Sequence, residues 1–240
     1  MTGFQQKIEA YRRCQRMSRP LPIQHPIVIE PPDAAAYLSH MGIAVPDVLD
    51  AVEAGETWAG NMTRHHPVTA AGLIRWIYVV GTLRERLAGT NLWIGDDPQN
   101  RPISQRIGQP YTLSTVGGNE VTGIADHPRG PFAARRKGRA TAEAVNGTAP
   151  LITVESLRAG VVDRDGDGRT RPPHGGWFLL YHRAEESVRM EISLPLGFED
   201  GQFTGWRVRV ILDEWRPEIV SAAPRDIGGQ DVDFQVVEVG

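Results

Sequence analysis

The sequence predicts an α+β protein in which N-terminal helices are followed by an antiparallel sheet of about five strands, ending in a three-stranded meander. Three observations predict it. Apolar residues recur at helical spacing through the first ninety positions. From Asn91 the recurrence changes to period two. The last third then carries three β-rich segments separated by short polar turns, the pattern of strands joined as neighbours. Helices first and strands afterwards belong to α+β rather than to alternating α/β architecture.

Taken in order, Phe4, Ile8 and Tyr11 lie at helical spacing and predict a short amphipathic helix over 3–17. Pro20, Pro22, Pro26, Pro31 and Pro32 make the next stretch an extended linker, with Ile27-Val-Ile29 as a strand or anchoring segment inside it. Asp33 is placed to cap a helix from Ala34 to Met41, stopped by Gly42. Asp47 starts a second helix with Val48, Leu49 and Val52 on one face and Gly55 at its end. A longer helix begins near Pro67 or Thr69 and runs to Ala88. Its apolar stripe is Leu73, Trp76, Ile77, Val80, Leu83 and Leu87, with Arg75, Arg84, Glu85 and Arg86 facing elsewhere and Gly89 at the C′ position.

Ile103–Ile107 and Tyr111–Thr115 flank Gly108-Gln-Pro110 and predict a hairpin. The segment Leu151–Leu157 has no clear type, and Val162–Gly176 is a polar, Gly/Pro-rich excursion. The meander comprises Trp177–His182, Val188–Leu194 and Trp206–Leu212. In its second strand Val188, Met190, Ile192 and Leu194 share a face; in its third, Trp206, Val208 and Val210 alternate with Arg207 and Arg209. The domain reading is a basic N-terminal segment and Pro-rich linker over 1–32, one α+β domain over 33–215, and an acidic tail over 216–240.

Bulk properties narrow the function. With 240 residues, 40% hydrophobic and 23% charged, the chain has the composition of a soluble globular protein. A net charge of −3 argues against a generally basic nucleic-acid coat, so any polyanion site is local. The single Cys14 excludes an intrachain disulfide and a cysteine zinc cluster, as expected of a reducing compartment. The N-terminus shows charge without an apolar h-region, and no window approaches the apolar length of a membrane span. These features predict a cytoplasmic protein without a membrane partner.

The strongest functional signal is the run Pro128–Thr141. It holds Arg129, Arg135, Arg136, Lys137 and Arg139 in a Gly/Pro-broken loop that contains no acid, and a helix-prone segment from Ala140 to Asn146 follows. Cations feeding a helix N-terminus are what binding a phosphate requires. Free N–H groups and the positive end of the helix dipole add to the side-chain charge, with Thr141 in the first turn as a further contact. The competing reading is a solvated loop, or one paired with the chain's own acidic tail. Lys137 precedes Gly138 without the spaced upstream glycine of a Walker A motif. Phe132 alone is placed to stack on bases.

Other candidates are weaker. Asp163, Asp165, Asp167 and Gly168 match the opening of a calcium loop, yet position 12 falls on His174 and Pro172-Pro173 forbid the second helix of an EF-hand. His65-His66 have no third ligand at metal spacing, and His182 reads as a strand-end residue. No nucleophile elbow, zinc-protease helix or dinucleotide fingerprint occurs, so the sequence leans away from an enzyme and requires no cofactor.

Four places resemble a family of uncharacterised proteins encoded on bacterial plasmids and integrative elements. They are Gly72-Leu-Ile-Arg-Trp76 with Leu83-Arg-Glu-Arg86; Gly118-Asn-Glu-Val-Thr-Gly123; Lys137-Gly-Arg-Ala-Thr141; and Trp177–Arg183 with Arg189–Pro195. They span about residues 70 to 212. The resemblance carries no catalytic residues across. It implies a bacterial, cytoplasmic, mobile-element setting and favours DNA- or RNA-linked work over metabolism. A Gly-Asp-Glu turn in such relatives stands where this chain has Gly118-Asn-Glu120, which weakens a metal role for the turn. The expectations are therefore, first, a nucleic-acid- or polyanion-binding accessory protein of a mobile-element or defence system. Second comes a protein–protein interaction subunit, and third a metal-dependent phosphoryl-transfer or nuclease enzyme using Glu120, Asp126 and the basic loop.

Overall fold

The computed structural model describes residues 25–147 and 171–217. The expected helix over 3–17, the segment Leu151–Leu157 and the calcium-like Asp163, Asp165 and Asp167 lie outside the described residues, as do positions 218–240.

Seven strands form one sheet in the order β1-β7-β6-β5-β4-β3-β2. They are β1 (Ile27–Ile29), β2 (Trp93–Asp96), β3 (Ile103–Arg106), β4 (Tyr111–Gly117), β5 (Gly175–Arg183), β6 (Val188–Glu199) and β7 (Gln202–Ile211). The α+β class holds, but the sheet differs from the expected five antiparallel strands with a terminal meander: it is larger and mixed. β4 runs parallel to β5, with Leu113 beside Trp177, and β1 runs parallel to β7, with Val28 beside Arg209. Period-two patterning reports which side chains share a face and is silent on strand direction. Parallel neighbours need a crossover rather than a hairpin, and the long stretch between β4 and β5 supplies one. Ile27–Ile29, within the proline-rich stretch, is thus an edge strand of the sheet.

Helices α1 (Pro31–Ser39), α2 (Val45–Gly60) and α3 (Ala70–Gly89) cover one face of the sheet. Both α1 and α2 begin earlier than Asp33 and Asp47 suggested. Proline in the first turn forfeits only an N–H that would have no intrahelical partner, so Pro31, Pro32 and Pro46 open helices here. Gly55 does not stop α2. A Cβ there would lie 2.5 Å from Val79 Cγ2 and 2.9 Å from the Arg75 carbonyl oxygen, so the glycine permits close approach of α2 and α3. The α3 stripe also needs correction. Val79, Leu83 and Leu87 are buried, whereas Leu73 and Ile77 are exposed and Arg75 turns inward. Glu56 of α2 explains the last point, since it accepts from Arg75 Nε at 2.5 Å and from Arg183 Nε at 3.0 Å.

These helices pack on Trp177, Leu179, Tyr181, Met190, Ile192, Val208 and Val210. The other face carries Val116, Phe178, Leu180, Phe198, Phe203 and Trp206, against which Val145 and Ala142 of α4 (Arg139–Gly147) are seated. Three register shifts between Leu194 and Phe198 bend the β6–β7 hairpin across this face. The bulge puts Trp206 on the face opposite Val208 and Val210, contrary to the simple alternation read from the sequence.

Candidate functional site: a basic rim braced by the sheet

After β4 the chain leaves at Gly117, crosses the second face of the sheet and returns, pairing Gly118 with Ala133. The excursion is fastened at several points. Asn119 N–H donates to the Phe132 carbonyl at 3.0 Å, and Asn119 Oδ1 accepts from Phe132 N–H at 3.0 Å. The Gln202 side chain brackets Ala133, accepting from its N–H at 3.1 Å and donating to its carbonyl at 2.9 Å. Trp206 Nε1 donates to the Pro131 carbonyl at 2.9 Å. Gly130 has φ +68°, and a Cβ there would lie 2.6 Å from Trp206 Cδ1, so backbone conformation and space both require glycine.

Beneath the excursion lies an ion pair with no solvent exposure. Glu191 of β6 and Arg209 of β7 are each 0% exposed. Glu191 Oε1 accepts from Arg209 Nε at 3.0 Å and from Ser193 Oγ at 2.7 Å. Its Oε2 accepts from Arg209 Nη2 at 2.5 Å and from Gly123 N–H at 2.9 Å. With four donors around one carboxylate the charge is fully solvated by protein, the condition under which a buried pair is tolerated. All of the carboxylate's hydrogen bonding is directed into the protein, and through it Gly123 is tied to the sheet.

The brace presents the predicted cations at the rim. Arg129, Arg136 and Arg139 are exposed, and Arg135 and Lys137 are half-buried. Lys137 N–H donates to the Gly201 carbonyl at 2.9 Å, seating this part of the run on the β6–β7 turn beside Glu199 and Asp200. Arg139 is engaged by Glu143 at 2.5 Å in an i,i+4 pair. That contact raises the guanidinium and, through the same hydrogen bond with help from Gln99, holds the Glu143 carboxyl below its usual range. Among the described residues Arg129 and Arg136 make no ion pair. Thr141 departs from expectation: it is buried, and its N–H and that of Ala142 both donate to the Gly138 carbonyl. The Ala142 bond is the ordinary first one of the helix, and the Thr141 bond leaves the first turn of α4 one free donor fewer for an anion.

His182 ends β5 on the same face. Its Nδ1 lies 3.3 Å from the Gly118 carbonyl, so a neutral ring carries its proton there. Burial pushes its pKa down and Arg189 adds to the effect, against the opposing Gly118 carbonyl and Glu120. Gly118 is its one hydrogen-bond partner among the described residues. Glu120 and Asp126 are exposed, and among the described residues no three of His, Cys, Asp or Glu are grouped to hold a metal ion. His65 and His66 sit in the exposed α2–α3 turn, where Thr63 N–H donates to His66 Nδ1 at 3.0 Å.

The residues that sequence reasoning missed are Glu191, Gln202, Trp206 and Arg209, all of which position the rim rather than form it. Pro195 and Gly197 inside a strand were the available signal, since both mark bulges. Fold and site together define an α+β domain with a mixed seven-stranded sheet and a braced cationic rim. Comparison with protein families, curated proteins and solved structures finds no match. Among the described residues no helix is long and apolar enough to cross a membrane.

Proposed function

We propose that this protein is a non-enzymatic accessory protein that contacts nucleic-acid backbone through Arg129, Arg135, Arg136, Lys137 and Arg139, in the mobile-element or defence setting that its sequence resemblance implies. The observation that carries the reading is the brace. Cations on a loose loop lose conformational entropy on binding a polyanion, whereas a loop fixed by Gln202, Trp206 and the Glu191–Arg209 pair has lost it already on folding. Phosphate contacts of this kind give affinity without sequence information and make binding strongly salt-dependent.

Polarisation of labelled single- and double-stranded DNA and RNA across a salt series tests it. The variant Arg129→Gln/Arg136→Gln/Arg139→Gln alters three exposed side chains. It should lower the salt slope by about one unit for each phosphate that is no longer neutralised, and weaken binding at least roughly tenfold at moderate salt. Failure of the unaltered protein to bind any of the four, or an unchanged slope in the variant, removes this reading.

A second reading, a subunit that docks a protein partner, is favoured by a different surface. Trp58 stacks on Tyr78 with ring centroids 4.4 Å apart, and Trp58, Val68, Leu73 and Ile77 are exposed around the α2–α3 turn. Exposed apolar clusters rimmed by polar residues are common docking surfaces. Salt-independent capture of a partner that Leu73→Asp/Ile77→Asp abolishes would support it.

A further inference from the structure

The cationic run ends at α4, and there a second segment of the chain meets it. The β2–β3 connection turns through Pro98–Asn100, with Gln99 at φ +53° and Asn100 at φ +59°. Left-handed backbone at two successive residues other than glycine is costly and persists where the surroundings hold it. Two contacts hold it here. Gln99 Nε2 donates to Glu143 Oε2 of α4 at 2.8 Å, and Arg101 Nη1 donates to Ser114 Oγ of β4 at 2.5 Å. Ser114 pairs with Phe178, one of the residues on which α4 is seated. Arg101 therefore lies on the face of the sheet that carries the rim, near the helix that bears Arg139.

Charge gives this position its meaning. The Arg139 guanidinium lies against the Glu143 carboxylate, so that pair adds little net charge to the rim. Arg101 is different. It is half-buried, and its one hydrogen-bond partner among the described residues is the neutral Ser114 hydroxyl, with no carboxylate paired to it. Burial pulls its pKa below the usual arginine range, and no acid opposes the shift. A guanidinium carries five N–H donors in a fixed fork, so the bond to Ser114 orients the group and leaves donors for a phosphate. An anion placed there would return the favourable interactions that burial removed.

From this juxtaposition we infer that Arg101 is a further phosphate contact of the rim, so that the nucleic-acid site is built from two segments, the β2–β3 connection and the run 129–139. The inference rests on the polyanion reading above and adds to it a residue that no basic stretch of sequence marks. Gln99 is its positioning residue. Gln99 and Arg139 bond to the two oxygens of one carboxylate, so a backbone that reaches Arg139 at the start of α4 is close to Arg101 as well.

Two measurements on the full chain test this. The first is a salt series of polarisation with whichever of the four labelled nucleic acids binds the unaltered protein most tightly. It compares Arg101→Gln, Arg101→Lys and a control, Arg64→Gln, which removes one exposed cation from the α2–α3 turn. Arg101→Gln should weaken binding about three- to tenfold more than the control and lower the salt slope by about one unit, while Arg101→Lys keeps the slope. Equal behaviour of Arg101→Gln and the control overturns the inference, and leaves the polyanion reading standing where the rim variant is impaired. A slope that Arg101→Gln leaves unchanged, or that Arg101→Lys lowers as much, marks a purely structural guanidinium and overturns it too. Absence of binding by the unaltered protein removes both readings.

The second measurement uses the unaltered protein and so does not depend on how a variant folds. Phenylglyoxal modifies accessible guanidinium groups, and mass spectrometry of the digested protein reads each arginine separately. Bound nucleic acid should protect Arg101 together with Arg129 and Arg136, and leave Arg64 as reactive as before. Protection of Arg129 and Arg136 without Arg101 overturns the inference while sparing the polyanion reading. An Arg101 that does not react in the free protein is closed to a phosphate as well, and also overturns it.

Discussion

The two faces of the sheet are covered by different physics. On the helix face, α1–α3 lay apolar side chains on Leu179, Met190 and Val210, and close packing supplies the stability. On the opposite face an irregular chain crosses the sheet, and irregular backbone must have its N–H and C=O groups satisfied one by one. Gln202, Asn119, Trp206 and Glu191 do this from fixed positions. The lesson is that a loop can be as firmly placed as a helix when the sheet beneath it carries the matching polar groups. Such a loop can hold a row of like charges in place, as the rim does here.

Breaking the polar side of this contrast should have the largest effect. Glu191→Ala strands a buried guanidinium and should cost about 3–5 kcal/mol, measured by denaturant unfolding. Amides of 119–134 should lose hydrogen-exchange protection before those of α2 and α3. Replacing both partners, Glu191→Leu with Arg209→Met, should recover part of that stability, because no unpaired charge remains although Gly123 N–H and Ser193 Oγ lose their acceptor. On the helix face Leu179→Ala should cost about 2–5 kcal/mol, with no such rescue and with protection reduced across the whole sheet.

Smaller changes sharpen the comparison. Gly130→Ala forces a side chain into left-handed backbone and against Trp206, and should cost about 1–3 kcal/mol while shifting Trp206 fluorescence. On the helix face Tyr37 is buried and its hydroxyl has no partner among the described residues; burial pushes its pKa well above the ordinary value. Tyr37→Phe should therefore be neutral or stabilising by up to about 1 kcal/mol in a thermal melt. The smallest effect concerns His182. Its folded pKa lies below the ordinary 6.5, so the unfolded chain takes up the proton first as pH falls. That contribution to stability is present above pH 6.5 and is lost on acidification toward the folded pKa. His182→Gln should flatten this part of the stability–pH profile while leaving the neutral-pH value nearly unchanged.

Much of the helix face is legible in the sequence. Val48, Val52, Leu83 and Leu87 are buried as their spacing requires, and Gly108 opens the β3–β4 turn with φ +73°. The departures share a cause. Gly55, Arg75 and Trp206 are misread when each is considered within its own segment, because each is explained by residues elsewhere along the chain: Val79 for Gly55, Glu56 for Arg75, and for Trp206 the register shifts of β6 against β7. Thr141 reads as a first-turn contact because capping rules describe a helix end without saying what covers it.

Local periodicity and composition determine helices α1–α4, strands β3–β7, the position of the cationic run and the acidity of the final fifteen residues. Tertiary structure alone decided strand direction, the bend of the β6–β7 hairpin and the bracing of the rim. These depend on pairs distant in sequence, such as Leu113 with Trp177, Gln202 with Ala133 and Gly123 with Glu191. Hydrogen bonds and close packing act through space, and no rule of spacing along a chain encodes which distant residue will arrive.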